Sequence, residues 1–137
     1  MIRCGESRFR HVIRLLVVDD HAVVREGFVS LLNRQPDLEV VGEAADGAEA
    51  IQRAEELRPD VVLMDVDMPT MDGMEATRRL TEQHADIAVI GLSVHEDASV
   101  SRAMTAAGAH AYVSKRAATK DLVETIHRVC EGNNTSG

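Results

Sequence analysis

Apolar positions along this chain fall into short runs that alternate with stripes of helical period. Ile13–Val18 (IRLLVV) is an apolar run ending on Asp19-Asp20, and it predicts a first strand. Val24, Phe28, Leu31 and Leu32 then recur at i, i+4, i+7 and i+8, which is one helical face, and Pro36 stops that helix. The valine-rich stretch Leu38–Ala44 predicts a second strand. Asp46-Gly47 opens a helix, with Glu49 three residues after Asp46 in capping-box register. Ala50, Ile51, Ala54 and Leu57 form its inner face, and Pro59 ends it. Val61–Met64 predicts a third strand that delivers Asp65 to its C-terminal tip, before a loop that closes on Asp72-Gly73. Asp72 with Glu75 repeats the capping signature ahead of a helix through Met74, Thr77 and Leu80. Ile87–Leu92 predicts a fourth strand ending at Ser93, and a helix from about Asp97 to Ala107 follows, with Gly108 placed to cap it. Ala111–Val113 is a short fifth strand followed by Ser114-Lys115, and the last helix carries Leu122, Ile126, Val129 and Cys130 on one face.

Five apolar strands alternating with five amphipathic helices demand a parallel sheet covered on both faces. With 137 residues the chain is expected to form one domain, over 12–131. Residues 1–11 read as an N-terminal tail, and the polar 132–137 (GNNTSG) as a tail or the start of a linker. The segment Met1–Arg10 carries three arginines and no apolar core, so it is not a signal peptide, and no run approaches membrane-spanning length. Cys4 and Cys130 show neither metal spacing nor a disulfide framework, which points to a reducing, cytoplasmic setting.

Composition narrows the function. Only Phe9, Phe28 and Tyr112 are aromatic, so base stacking has almost nothing to work with, and a net charge of −8 opposes binding to phosphate backbones. In a doubly wound sheet, ligands sit beyond the carboxyl ends of the strands. Four strand ends here carry functional groups: Asp19-Asp20, Asp65, Ser93 and Lys115. Three crowded carboxylates repel one another unless neutralised, and an oxygen-seeking divalent cation such as Mg²⁺ does so. Lys115, one of only two lysines among 15 basic residues, adds a compact positive charge able to contact a phosphoryl oxygen. Taken singly, each residue has an ordinary reading: a helix cap for Asp19-Asp20, a turn for Asp65 or Asp72, a solvated side chain for Lys115, a half-buried strand residue for Tyr112. His21 and His95 read as loop residues, and six scattered histidines do not suggest zinc. Independent ordinary readings would have to coincide at four of the five strand ends.

Together, Asp19-Asp20, Asp65 in DVDMPTMDG, Ser93 in GLSVHE and Tyr112 in AYVSK ending at Lys115 resemble the receiver domain of two-component response regulators, over about Val12 to Glu131. The segment LLVVDDHAVVREGFVSLL further resembles the NarL/FixJ class, whose members usually append a LuxR-type helix-turn-helix. The resemblance implies a flavodoxin-like five-stranded sheet with strand order 2-1-3-4-5. It implies that Asp65 accepts a phosphoryl group from a sensor histidine kinase, and that Asp20, Asp65 and the backbone carbonyl of Asp67 bind Mg²⁺ or, in its place, Mn²⁺. Asp19 would support the metal shell, Ser93 would hydrogen-bond a phosphoryl oxygen, Lys115 would pair with the phosphoryl group, and Tyr112 would be the rotameric switch. The implied output is transcription control through a DNA-binding domain absent from this chain, which has no DNA contact of its own and no membrane role. A homodimer through the last helix is compatible with this reading. Two positions depart from the commonest pattern: Ser93 stands where threonine is more usual, and Arg116 follows Lys115 where many receivers have proline. Asp67 and His95, each two residues past a key position, flank the site and are expected to tune dephosphorylation.

Two other readings compete with this one. Asp65-Val66-Asp67 resembles the DxD of haloacid-dehalogenase-type phosphatases, but those place it on the first strand of a longer chain. A pseudo-receiver that binds partners without phosphorylation usually lacks the acidic pair, the acceptor or the lysine, and all are present here. The expected protein is therefore a switch that hydrolyses its own acyl phosphate slowly, and not a conventional enzyme.

Overall fold

The computed structural model describes residues 12–67, 73–94 and 98–135, with side chains through residue 131. Strands β1 (Ile13–Val18), β2 (Leu38–Ala44), β3 (Val61–Asp65), β4 (Ala88–Ser93) and β5 (Ala111–Ser114) alternate with helices α1 (Ala22–Asn33), α2 (Gly47–Leu57), α3 (Gly73–Gln83), α4 (Ala98–Ala107) and α5 (Thr119–Thr135). All neighbouring strands pair in parallel, in the order β2-β1-β3-β4-β5. The strands are aliphatic because both sheet faces are covered. Leu15, Val17, Leu63 and Ile90 face one core with Leu32 of α1 and Leu122 and Ile126 of α5. Leu16, Val18, Val62, Met64 and Val89 face the other, with Ala50 and Ala54 of α2 and Ala76 and Leu80 of α3.

Local signals match the elements closely. Asp46 Oδ1 accepts the Glu49 N–H at 2.8 Å, and Glu49 Oε1 accepts the Ala45 N–H at 2.8 Å, closing the N-terminus of α2 from both sides. Arg58 ends α2 in the left-handed region at φ 50°, immediately before Pro59. Gly108 has φ 112° and ends α4 as expected, where a side chain would be strained and would meet Thr81. Asp72, the expected cap of α3, Asp97, the expected start of α4, and His95 lie outside the described residues.

Three expectations need correction. The inner face assigned to α1 is only partly inside: Leu32 is fully buried, but Val24 and Leu31 are 39% and 40% exposed. They line an open cleft with Phe28, Leu122 and Val94, because α1 packs chiefly on β1 and β2 and leaves a gap toward the start of α5. The last helix continues to Thr135, where a polar tail was expected from Gly132. Cys130 is disulfide-bonded, where the spacing of the cysteines gave no disulfide framework; Cys4 lies outside the described residues. Among the described residues, no helix is long and apolar enough to cross a membrane.

Candidate functional site

The sheet ladder runs one residue beyond the strands and fixes their tips. Asp19 N–H donates to Ala44 O at 3.0 Å, Val66 N–H to Leu92 O at 2.9 Å, and Lys115 N–H to Ser93 O at 2.9 Å. The side chains at these tips are thereby held at one edge of the sheet. Asp19 and Asp65 are buried, and Lys115 reaches both: Nζ lies 3.1 Å from Asp19 Oδ2 and 2.9 Å from Asp65 Oδ1. Asp65 Oδ1 also accepts the Asp67 N–H at 2.9 Å. The other oxygen, Oδ2, is buried and accepts no hydrogen bond among the described residues.

Burial pushes the Asp65 carboxyl above the usual aspartate range; the Asp67 N–H and Lys115 oppose that rise, and the charge on Asp19 adds to it. Burial alone would depress the Lys115 ammonium, but its hydrogen bonds to Asp65 and Asp19 outweigh this and hold it above the usual lysine range. Among the described residues, Lys115 thus serves a group of carboxylates that outnumbers it. Ligand atoms of Asp19, Asp20, His21 and Asp65 all lie within 4.8 Å of one another. Such an oxygen-rich donor set with surplus negative charge fits a hard divalent cation. The unpartnered Asp65 Oδ2 is a further oxygen that such an ion can use.

Two residues of this constellation were not picked out from sequence. Arg25, on the first turn of α1, donates from Nη1 to the Asp19 carbonyl at 2.6 Å and from Nε to Glu43 Oε1 at 2.9 Å, tying the β1 tip to β2. His21, read from sequence as a loop residue, is the N-cap of α1. Its N–H donates to Asp19 Oδ1 at 2.8 Å, and its exposed ring places Nδ1 3.2 Å from Asp20 Oδ1. The available signal was position alone: a histidine directly after the acidic pair and a basic residue four further on.

Ser93, fully buried, makes no hydrogen bond to the Asp65 carboxylate. Its hydroxyl lies 3.2 Å from each carboxylate oxygen of Asp67, and the Val94 N–H lies 3.4 Å from Asp67 Oδ2. Tyr112 pairs with Gly91 across β4 and β5 and is half-buried against a small cluster containing Val66 and Met104. Gly91 leaves room there, since a Cβ would come within 2.7 Å of Met104 Cε and 3.3 Å of Tyr112 Cδ1. Gly73 is still tighter: a Cβ at this first residue of α3 would lie 2.4 Å from Asp65 O and 2.9 Å from Val66 Cα. The helix therefore rests directly on the backbone of Asp65, and only glycine permits that approach.

A family model for the response regulator receiver domain matches residues 15–127. Response regulator GacA of Pseudomonas viridiflava is 45% identical over 121 residues, covering 88% of this chain and 56% of that protein. Response regulator protein VraR of Staphylococcus aureus (strain Mu3 / ATCC 700698) is likewise 45% identical, over 88% of this chain and 57% of its own length. The chain thus spans somewhat more than half the length of these curated relatives. Among solved structures, a LuxR-family two-component response regulator from Aurantimonas sp. SI85-9A1 superposes with TM-score 0.84 at 36% identity, covering 88% of this chain and 86% of that one. The receiver domain of the putative response regulator NarL from Mycobacterium tuberculosis gives TM-score 0.84 at 30% identity, over 88% and 98% of the two chains. These LuxR-family and NarL likenesses agree with the class read from the β1–α1 segment. With the strand order, the acidic tip and the match over residues 15–127 all pointing one way, the chain belongs to the response regulator receiver domain family.

Proposed function

We propose that this domain is the phosphoryl-accepting switch of a two-component pathway, with Asp65 as the acceptor and a sensor histidine kinase as the donor. The observation that carries the proposal is the asymmetry of the Asp65 carboxylate. Oδ1 is held by the Asp67 N–H and Lys115, while Oδ2 is buried and uncommitted among the described residues. An oxygen of Asp65 attacks phosphorus and forms the O–P bond; the N–P bond of the donor phosphohistidine breaks, and its electron pair returns to the imidazole, which takes up a proton. Lys115 keeps Asp65 in place and supplies positive charge where the phosphoryl oxygens arrive.

Asp20, Asp65 and the backbone carbonyl of Asp67 would hold Mg²⁺, or Mn²⁺ in its stead, with Asp19 supporting the shell through water. A bound ion supplies Lewis-acid charge to the phosphoryl oxygens. Ser93 would then donate to a phosphoryl oxygen, and Tyr112 would turn inward as the Ser93 loop closes, altering the face formed by α4, β5 and α5. The acyl phosphate is hydrolysed slowly, as suits a switch. The domain acts in the cytoplasm, within residues 12–131. Its output is transcription control by a LuxR-type DNA-binding domain; the similarity to LuxR-family regulators and the coverage of little over half of the relatives support this. The receiver itself has no DNA contact, and a homodimer through α5 is compatible with its surface.

The test is intact mass after incubation with acetyl phosphate and Mg²⁺. A single phosphoryl adduct, absent with chelator and absent in Asp65→Asn, is expected. An adduct of equal yield in Asp65→Asn would move the acceptor and break the assignment.

A further inference from the structure

The Ser93 hydroxyl carries one proton, and in this structure it is directed at Asp67 rather than at Asp65. We propose that the Asp67 carboxylate is a resting-state latch that holds Ser93 and the start of the β4–α4 loop in the unphosphorylated arrangement, so that switching is an exchange of Ser93 from Asp67 to the phosphoryl group. The proposal rests on the reading of Asp65 as the phosphoryl acceptor and adds a regulatory role for a side chain that the acceptor chemistry does not use.

Three contacts build the latch. Both Asp67 oxygens lie 3.2 Å from Ser93 Oγ, and Oδ2 lies 3.4 Å from the Val94 N–H. The carboxylate is anchored from its own backbone, because the Asp67 N–H is fixed on Asp65 Oδ1 at 2.9 Å. Ser93 is fully buried at the end of β4, with its carbonyl tied to the Lys115 N–H at 2.9 Å, so its main chain stays while its side chain chooses a partner. A hydroxyl cannot donate well to two acceptors on different groups. While Asp67 holds the proton, a phosphoryl oxygen on Asp65 cannot receive it.

The exchange is close to balanced by construction. Both acceptors are anionic, so Ser93 trades one charge-assisted hydrogen bond for another. The arriving phosphoryl group also sets like charge near Asp67, which weakens the latch at the moment a better acceptor appears. The resting bias then depends on Asp67, and a small change there shifts the population in which Ser93 has left Asp67. Val94, whose N–H faces Asp67 Oδ2, lines the cleft between α1 and α5, so release of the latch is felt on that surface.

The test is a double-mutant cycle on the affinity for beryllofluoride with Mg²⁺, a non-hydrolysable phosphoryl mimic, followed by ¹⁵N amide shifts of Ser93 and Val94. Asp67→Ala is expected to tighten beryllofluoride binding about tenfold, the scale of one modest charge-assisted hydrogen bond. Before any mimic is added, it should move the Val94 amide toward its beryllofluoride-bound position. Asp67→Asn, which removes charge but retains an acceptor for Ser93, should give a smaller change. In a Ser93→Ala background, where there is no hydroxyl to hold, the gain from Asp67→Ala should mostly vanish. A gain of equal size in that background would mean that Asp67 acts by charge alone and would overturn the latch. Unchanged affinity in Asp67→Ala, with normal binding by the parent, overturns the latch and leaves the acceptor reading standing. Failure of the folded parent itself to bind beryllofluoride overturns the acceptor reading, and the latch with it.

Discussion

Replacing Lys115 with methionine keeps most of the aliphatic stem and removes the charge that Asp19 and Asp65 share. Nζ lies 3.1 Å from Asp19 and 2.9 Å from Asp65, and the lysine side chain is only 10% exposed. Removing one partner of an enclosed ion pair costs roughly 3–5 kcal/mol, because a buried charge is left uncompensated. Two features lower that figure here. Asp20 opens the site to solvent at 26% side-chain exposure, and the raised Asp65 carboxyl can escape its charge by taking up a proton. We therefore expect a loss of about 2–3 kcal/mol at pH 7 without divalent cation. At roughly 2.1 cal/mol/K per residue, 137 residues give an unfolding entropy of about 0.29 kcal/mol/K, so Tm should fall by about 7–10 °C. The sign of the pH dependence is fixed. Without Lys115 the Asp65 carboxyl lies further above the value it has in the unfolded chain, so the penalty is complete above the folded value and fades as pH falls through it. Circular dichroism melts in EDTA at pH 7 and pH 5 read both effects, and millimolar Mg²⁺ at pH 7 should restore part of the loss. A Lys115→Met protein as stable as the parent at pH 7 in EDTA would refute the electrostatic account of this site.

Gly73→Ala places a Cβ 2.4 Å from Asp65 O and 2.9 Å from Val66 Cα, both backbone atoms that cannot rotate away. We expect a loss of about 2–3 kcal/mol in urea unfolding, the upper range for overpacking, together with a reduced phosphoryl-adduct yield because the acceptor strand must shift. A second prediction concerns His110 in the α4–β5 turn, whose Nδ1 accepts the Val89 N–H at 3.2 Å while its own N–H donates to Val89 O at 2.7 Å. Partial desolvation of this otherwise exposed side chain holds the imidazole below its ordinary value of 6.5, so the unfolded chain binds the proton more readily. Stability should fall as pH drops below 6.5 toward the depressed folded value, and His110→Gln should flatten that slope in urea titrations at pH 7.5 and pH 5.5.

Most of the architecture was legible because each strand is covered on both faces, so it must be written in aliphatic residues. Val61, Val62, Leu63 and Met64 are all fully buried, and the run could hardly be anything else. The Asp46–Glu49 cap was legible for a different reason: its hydrogen bonds are local and its spacing is set by the helix itself. The inner face of α1 was less so. Helical periodicity places Val24 and Leu31 with Leu32, but it does not say how far the neighbouring helix lies, and the gap before α5 leaves them open. Within the site, the strand-end carboxylates and Lys115 were readable as a set because β-strand topology alone brings strand tips to one edge. Arg25 and the Ser93–Asp67 contact were not. The first depends on a side chain reaching from α1 to the Asp19 carbonyl, and the second on the chain just past β3 bringing Asp67 against Ser93 Oγ, 26 residues later.

On the proposed function Asp65, and no other carboxylate of the acidic tip, carries the phosphoryl group. Borohydride reduces an acyl phosphate to the alcohol, so a phosphorylated aspartate becomes homoserine and is marked irreversibly. Peptide mapping after phosphorylation in Mg²⁺ and borohydride treatment should find homoserine at position 65, with Asp19, Asp20 and Asp67 intact. Homoserine at any of those three positions, with Asp65 unmodified, would contradict it.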